Sequence, residues 1–79
     1  MAIGFVLINT VPAHEHEVYN KLSKVPEVVE IQSLFGEFDI IAKIEADDFA
    51  SLGNIVVNKI RTIEWIIDTK TLTGTHSLK

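Results

Sequence analysis

The residues with the clearest capacity for chemistry are a lone aspartate and a series of threonines. Asp39 lies among apolar residues, so its carboxylate could act as an acid, a base or an acceptor for a ligand's ammonium group. A turn carboxylate that accepts hydrogen bonds from local backbone donors is at least as common. Thr69, Thr71 and Thr73 could line a polar pocket with hydroxyl groups. Threonine is also a good strand former, and the spacing favours that simpler interpretation.

A second candidate is the segment from His14 to Glu17, in which histidine and glutamate alternate. Both residue types ligate metals. Neighbours on one face of a helix are three or four residues apart, whereas His14 and His16 are two apart. The spacing therefore favours a solvated first helical turn over a metal site, and leaves open only weak binding at the surface.

Catalytic machinery is not evident in this sequence. Cysteine is absent, which excludes a thiol nucleophile, a disulfide framework and a thiolate metal site. We find no paired acid and base, no nucleophile beside an activating group, and no phosphate-binding or dinucleotide motif. The single Trp65 is interpreted as a packing residue. We expect neither enzymatic activity nor a cofactor.

Composition points to one small globular domain that associates with copies of itself. The chain has 79 residues, of which 47% are apolar and 23% are charged. A core of this size is thin, and without disulfides the favoured route to stability is oligomerisation. The net charge of −4, with scattered basic residues, disfavours direct nucleic-acid binding. No apolar run approaches the roughly 20 residues of a membrane span, so we expect a cytoplasmic protein without membrane contact.

Hydrophobic periodicity predicts six elements in the order strand, helix, strand, strand, helix, strand. Their predicted ranges are residues 2–9, 13–24, 28–35, 38–45, 49–60 and 65–73. A short turn at Gly36-Glu37 joins the two middle strands, and Asp47 or Asp48 caps the second helix. The tail from Gly74 to Lys79 is expected to fray.

This order predicts an α+β fold, a ferredoxin-like βαββαβ sandwich. Right-handed crossovers give a four-stranded antiparallel sheet with both helices on one face, the first and third strands inside and the second and fourth at the edges. The inner strands are apolar on both sides, yet no further layer of chain remains for the second face. The bare face predicts a sheet-to-sheet homodimer.

Several short motifs are spread over nearly the whole chain. They are Val11-Pro12, Val25-Pro26-Glu27-Val28, Gly36-Glu37-Phe38-Asp39-Ile40-Ile41, Ile60-Arg61-Thr62-Ile63 and Asp68-Thr69-Lys70-Thr71. The most specific motif is glycine, any residue, an aromatic residue and aspartate at the hairpin, followed by threonines two apart in the last strand. Taken together, these motifs resemble the RAM domain of the leucine-responsive/AsnC family of transcription regulators.

The resemblance implies a single effector-binding domain over residues 1–79. The family's DNA-binding helix-turn-helix is not expected, because the first sheet strand begins at residue 2. In such stand-alone proteins, sheets pair into dimers and dimers form higher rings. An amino acid or similar effector binds between dimers near the hairpin turn. The implied function is regulation of amino-acid metabolism, by co-assembly with DNA-binding relatives. The implied site residues are Gly36, Phe38, Asp39, Thr69 and Thr71.

Two departures from the family pattern are visible. The chain has Glu64-Trp65-Ile66 where the family commonly has proline-glycine-valine, and it has Ala13 where glycine often follows proline. The bulky Trp65 is expected to narrow the pocket or to change the contact between dimers. Two alternatives remain at this point: an enzyme of the dimeric α+β barrel type that acts on a small aromatic compound, and an assembly module without a ligand.

Overall fold

The computed structural model describes residues 1–74 and has the predicted order of elements. The sheet is antiparallel with strand order β2-β3-β1-β4, so the two inner and two edge strands are as predicted. Helix α2 continues into a π-helical segment. The elements are β1 (Ala2–Thr10), α1 (Glu15–Leu22), β2 (Val28–Ser33), β3 (Ile40–Ala46), α2 (Phe49–Ile55), the π-helical segment (Val56–Ile60) and β4 (Ile66–Thr73).

The core lies between one face of the sheet and the two helices. Along β1, fully buried and half-buried residues alternate, because successive side chains point to opposite faces. Val6 and Ile8 are completely buried on the helix-facing side. Val18 of α1 and Leu52 of α2 are buried against this side. Within residues 1–74 no element covers the other face, so the predicted one-sided, two-layer fold is confirmed.

Gly4 allows α2 to lie close to the sheet. A Cβ atom added at this position would be 2.7 Å from Cδ2 of Leu52, which is shorter than a van der Waals contact. Leu52 is itself buried between the helix and the sheet. The absence of a side chain at Gly4 is therefore a packing requirement.

Strand β2 differs from its predicted pattern. Val29, Ile31 and Phe35 were expected to alternate on one side, but Val29 and Phe35 are exposed while Val28 and Ile31 are half-buried. The reason is a register shift against β3 between Val28 and Glu30, where a bulge interrupts the two-residue period. The strand also ends at Ser33, so Phe35 belongs to the following loop.

Helix α1 is shorter than its hydrophobic pattern predicts, whereas α2 and the π-helical segment together cover the predicted range of residues 49–60. Ala13 has φ of 73°, which is outside the helical region, so α1 begins at Glu15 with His14 as its N-cap. In α2, Phe49 is exposed and does not join the buried stripe that Leu52 leads. The π-helical segment that follows α2 was not predicted. Arg61 N donates to Val56 O over 2.8 Å, one residue further apart than in an α-helix.

The N-terminus of α2 is capped by Asp48, as predicted. Its Oδ1 accepts a hydrogen bond of 2.7 Å from Ser51 N, and this backbone donor is the main cause of a lowered pKa for the Asp48 carboxyl. A carboxyl whose pKa is lower in the folded state stabilises the fold above its unfolded pKa, and the stabilisation is lost as the pH falls through the folded pKa.

We therefore expect the wild-type protein to lose more stability below about pH 4 than the Asp48→Asn variant, because asparagine caps helices without titrating. Urea unfolding at about pH 5 and about pH 3 measures the difference between the two proteins. The other carboxyls are the same in both proteins. Equal losses of stability would therefore mean that the Asp48 charge does not contribute to the free energy of unfolding.

The C-terminal end of the described chain is still hydrogen-bonded to the sheet. Gly74 N donates to Ile3 O over 3.0 Å, so Gly74 continues the pairing of β4 with β1. The rest of the predicted frayed tail, residues 75–79, lies outside the described residues. No helix among residues 1–74 has the length and apolar character that crossing a bilayer requires.

Candidate functional site

The hairpin loop between β2 and β3, residues 34–39, carries three of the predicted site residues. It is longer than the predicted turn at Gly36-Glu37, because Phe38 and Asp39 precede β3 and are not part of it. Leu34 N donates to Asp39 O over 2.9 Å and closes the loop. Gly36 has φ of 104°, a conformation that side chains disfavour. Gly36 is exposed, whereas Phe38 and Asp39 are half-buried.

Asp39 fixes this loop to the end of β1. Its Oδ2 accepts a hydrogen bond of 2.9 Å from Thr10 N and a longer one of 3.4 Å from the Thr10 hydroxyl. Asp39 N donates to Ile8 O over 3.0 Å. Both carboxylate contacts found within residues 1–74 go to Oδ2, which leaves Oδ1 available to a ligand. The carboxylate therefore holds the hairpin loop to β1. From the sequence alone, the expected partners of this carboxylate were backbone donors close to Asp39 in the chain.

Thr10 was missed as a site residue. The sequence pattern suggested that it breaks the first strand, but β1 includes it and its side chain is buried. A buried hydroxyl needs a partner, and Asp39 supplies one. The signal in the sequence was a polar residue at a position where the alternation of β1 predicts a buried one.

The two predicted threonines lie on β4. In the register with β1, Thr69 is opposite Ile8 and Thr71 is opposite Val6, so both are on the helix-facing side at the sheet edge. Ile8 also pairs with Ile40 on its other side. Asp39 and Thr69 are thus at the same end of the sheet, on strands about 10 Å apart. Thr71 lies two residues further along β4 and is exposed.

The predicted residues do not form one enclosed pocket within a single chain. Thr69 lines a cavity of about 160 Å³ with Arg61 and Asp68. A larger open groove of about 520 Å³ runs beside α1 and includes Tyr19 and Ser33. The hairpin residues line neither of these two spaces. Ligand sites usually enclose most of the ligand surface, so the predicted residues of one chain do not make such a site by themselves.

A stacked aromatic pair lies next to the hairpin anchor. The rings of His14 and Trp65 are 3.8 Å apart at their centroids and 10° from parallel. His14 Nδ1 is also 2.9 Å from Oε1 of Glu17. The expectation that Trp65 packs is confirmed, since it lies against the core, but it precedes β4 and is not part of the strand. The expected solvated first helical turn is confirmed for Glu15, His16 and Glu17, which are exposed, whereas His14 precedes the helix, is half-buried and stacks on the indole ring.

Ala13 and Trp65 are the non-glycine residues with positive φ in residues 1–74, at 73° and 78°. They occupy the two positions at which the family pattern described above has glycine. A side chain in this left-handed conformation costs about 1–2 kcal/mol. The two departures from the family pattern are therefore positions of backbone strain, and the stack on His14 offsets part of that cost at Trp65.

Replacing Ala13 with glycine is expected to raise the free energy of unfolding by about 0.5–1 kcal/mol, because relief of the strain exceeds the entropic cost of glycine. Urea unfolding measures the change. Ala50→Gly is the matched control: Ala50 is an exposed residue inside α2, so the same exchange should lower stability there. A loss of stability in both variants would contradict the strain at Ala13.

The histidine and glutamate segment does not assemble a metal site in the described residues. No group of three or more potential metal-ligating side chains is found within residues 1–74. His14 is committed to the stack with Trp65, and His16 lines the open groove beside α1.

Comparison with known proteins identifies the family. A model described as the Lrp/AsnC ligand binding domain matches residues 3–79. PF0250 of Pyrococcus furiosus, an uncharacterized HTH-type transcriptional regulator, is 33% identical over 96% of this chain and 53% of its own length. The hypothetical protein PHS023 of Pyrococcus horikoshii is 35% identical, with a TM-score of 0.89 over 99% of this chain and 94% of that one. Escherichia coli AsnC is 26% identical, with a TM-score of 0.91 over 99% and 53%.

The chain spans about half the length of regulators such as PF0250, at 53% of that protein. The matching family is a regulatory ligand-binding domain and not an enzyme family, so the alternative of a dimeric α+β barrel enzyme is not supported. The ferredoxin-like fold, the match over nearly the whole chain and the relatives named as regulators agree. This chain belongs to the Lrp/AsnC ligand-binding domain family.

Proposed function

We propose that this chain is a sensor domain that binds an amino acid or a related metabolite between copies of itself and acts in transcription regulation. The observation that carries the proposal is the hairpin loop, which Asp39 fixes to β1 through Thr10, while its Oδ1 accepts no hydrogen bond within residues 1–74. A carboxylate oxygen that is held in a fixed position is a favourable hydrogen-bond acceptor for an ammonium group.

The same end of the sheet offers partners for the rest of an amino acid. Exposed backbone amides around Gly36 could hold a carboxylate, because loop amides form concave anion sites. The hydroxyls of Thr69 and Thr71 could bind further polar groups. In support, the NMB0573 regulator of Neisseria meningitidis has been solved in complex with L-methionine, and it has the same fold, with a TM-score of 0.88 at 18% identity. L-Methionine is therefore a sensible first probe.

We propose that the copies pair through the bare face of the sheet. Its apolar part around Leu7 is bordered by charged residues on three strands, including inner strand β3, which was expected to be apolar on both sides. These residues are Glu30 on β2, Lys43 and Glu45 on β3, and Lys70 on β4. The register places the apolar side chains next to one another across three strands. They are Ile3, Phe5, Leu7, Ile41 and Leu72.

Substitution at the centre of this face tests the pairing. Leu7 lies between Ile41 and Lys70 in the register, so Leu7→Glu would bury a charge in the proposed interface. We expect this variant to be monomeric at concentrations where the wild type is oligomeric, as measured by light scattering coupled to size exclusion. Val57→Glu is the control, because Val57 is exposed on the helix side. If both variants keep the wild-type mass, the interface lies elsewhere.

We further propose that residues 1–79 form a single effector-binding domain that regulates genes of amino-acid metabolism by co-assembling with DNA-binding relatives. PHS023, which this chain matches over 94% of its length, shows that the fold occurs in a chain of about this size. Co-expression with a full-length family member of the same cell, followed by native mass spectrometry, tests the mixed assembly. Complexes made only of identical chains would remove this part of the proposal.

The decisive experiment for effector binding is a thermal shift assay with the standard amino acids and related metabolites, combined with light scattering. A ligand that binds only the folded state raises the melting temperature with its concentration. We expect such a rise for L-methionine or for a small set of amino acids. A well-folded oligomer whose melting temperature does not respond to any compound would instead indicate an assembly module without a ligand.

A further inference from the structure

Phe35, in the hairpin loop, is the most exposed aromatic residue among residues 1–74. Its exposed fraction is 106%, compared with 54% for Phe49 and 41% for Tyr19. Full burial of a phenylalanine side chain corresponds to roughly a ten- to hundredfold change in an equilibrium constant, and a single copy of this chain gains none of it at Phe35. A single exposed apolar side chain is ordinary by itself. Two further features distinguish Phe35.

The first feature is that the hairpin loop presents Phe35 from a fixed backbone. Leu34, directly before it, donates its N–H to Asp39 O over 2.9 Å. Gly36, directly after it, turns the chain with φ of 104°. Asp39 is in turn hydrogen-bonded to β1 through Thr10. A side chain that projects from a fixed backbone loses less conformational freedom on binding, which favours Phe35 as an anchor residue.

The second feature is the open groove of about 520 Å³ beside α1, which begins at the base of the same loop. Ser33 and Ile40, the residues just before and just after the loop, both line it. Ile40 is only 2% exposed, so it lies at the bottom of the groove, and the half-exposed ring of Tyr19 forms a wall. Glu15 and His16 are its polar part. A phenylalanine ring in this groove would contact an aliphatic side chain and a second aromatic ring.

The protruding ring and the groove are placed as a twofold contact between copies requires. In such a contact the same surface of both copies meets, so the surface must be complementary to itself. Phe35 is two residues from Ser33 at the edge of the groove, but it does not line the groove of its own chain. A twofold axis that passes between the ring and the groove brings each ring to the groove of the other copy.

The size of the contact determines which copies it can join. A phenylalanine buries about 150–250 Å². Two inserted rings and the surfaces that they cover therefore amount to less than the roughly 1,200 Å² of a stable interface. The contact is too small to hold two separate chains together. It suits copies that are already paired through the bare face of the sheet, because that face is opposite α1 and several small contacts then act together.

We propose that Phe35 of one copy inserts into the groove beside α1 of a second copy, that the insertion is reciprocal, and that this contact joins sheet-paired dimers. The inserted ring lies next to Ile40, the residue that follows Asp39. Each copy thus contributes an apolar wall to the proposed effector site of the other. The proposal rests on the function proposed above for the sheet pairing and for the effector site.

Cross-linking between two different variants tests the location of the contact. The chain has no cysteine, so a single thiol can be introduced at one chosen position. Phe35→Cys chains are mixed and reassembled with Tyr19→Cys chains and treated with a short bis-maleimide reagent. A product that contains one chain of each kind can form only between copies. The second insertion of the same contact remains intact, because the Tyr19→Cys chain keeps Phe35 and the other chain keeps Tyr19.

We expect the mixed product in this experiment, and only background amounts when Phe49→Cys replaces Phe35→Cys. Phe49 is the matched control because it is an exposed phenylalanine at the start of α2. A mixed product that is no more abundant than in the control would overturn the proposal.

The mass of the assembly without ligand is the second measurement. Phe35→Ser should remain folded, since the side chain is exposed, and should weaken the association of dimers by at least about a hundredfold, because each contact loses two buried rings. Native mass spectrometry should then find dimers where the wild type is larger, whereas Phe49→Ser should keep the wild-type mass. A wild type no larger than two chains, or a Phe35→Ser variant of unchanged mass, would overturn the proposal.

The outcome can be separated from that of the proposed function. Both measurements are made without ligand, so a negative thermal shift assay does not affect them. If Leu7→Glu kept the wild-type mass, the pairing through the bare face would be removed, but the cross-link between the hairpin loop and α1 would still report the Phe35 contact.

Discussion

The Asp39→Asn variant is expected to bind the effector roughly ten to one hundred times more weakly than the wild type while keeping its fold, because a hydrogen bond to a charged group contributes about 1.5–3 kcal/mol. The asparagine side-chain oxygen can still accept the N–H of Thr10, so the hairpin remains attached to β1. What is lost is the negative charge that the proposed effector's ammonium group would bind. Isothermal titration with the amino acid identified by thermal shift measures the affinity.

Asp39→Ala serves as the contrasting variant. It leaves the N–H and the hydroxyl of Thr10 without their carboxylate partner, and Thr10 is only 4% exposed. We expect a loss of about 1–3 kcal/mol in the free energy of unfolding, together with the loss of binding. If Asp39→Asn bound the effector as tightly as the wild type, the carboxylate would be an anchor for the hairpin alone.

The second large effect is expected on stability, at Gly4. Gly4→Val should lower the free energy of unfolding by about 3 kcal/mol, since the added methyl groups would overlap with Leu52 and force α2 away from the sheet. For a domain of this size, the melting temperature should fall by roughly 15 °C. Gly4→Ala should show a smaller loss, because its single added atom meets the end of one side chain.

Two other glycines provide controls for this prediction. A Cβ atom added at Gly53, inside α2, would have no neighbour within 4 Å, so Gly53→Ala should stabilise the protein by about 0.5–1 kcal/mol. At Gly74 the nearest atom would be Ile3 O at 3.7 Å, an ordinary contact. A Gly4→Val variant as stable as the wild type would mean that α2 can shift without cost.

The fold could be predicted from the sequence because its inner strands and helices have regular periods. Val6 and Ile8 alternate with half-buried residues as β1 requires, and Leu52 lies on the buried side of α2. The pattern failed where the backbone departs from regular geometry. The bulge beside Val29 shifts the strand by one residue, and the π-helical segment after Ile55 has no periodic signature in so few residues.

The candidate site was predicted less completely than the fold. Gly36 signalled the hairpin because glycine is the usual residue at positive φ, and the motif around it resembled that of the family. Ala13 and Trp65 also have positive φ but are not glycine, so their residue types did not indicate this backbone conformation. The alternation of β1 indicated that Thr10 is buried, but it did not identify Asp39 as its partner, and the stack of His14 on Trp65 likewise joins residues distant in the sequence.

The hydrogen bond between Gly74 and Ile3 has a practical consequence for work on this protein. It places Gly74 beside the start of β1, so both ends of the described chain lie at the same end of the sheet. The hairpin loop lies at the opposite end, near Thr10, which is roughly 26 Å from Ala2 along β1. A fluorophore, affinity handle or fused reporter joined before Met1 would therefore stand clear of residues 34–39. In such a fusion, the reporter and the proposed effector site would lie at opposite ends of β1.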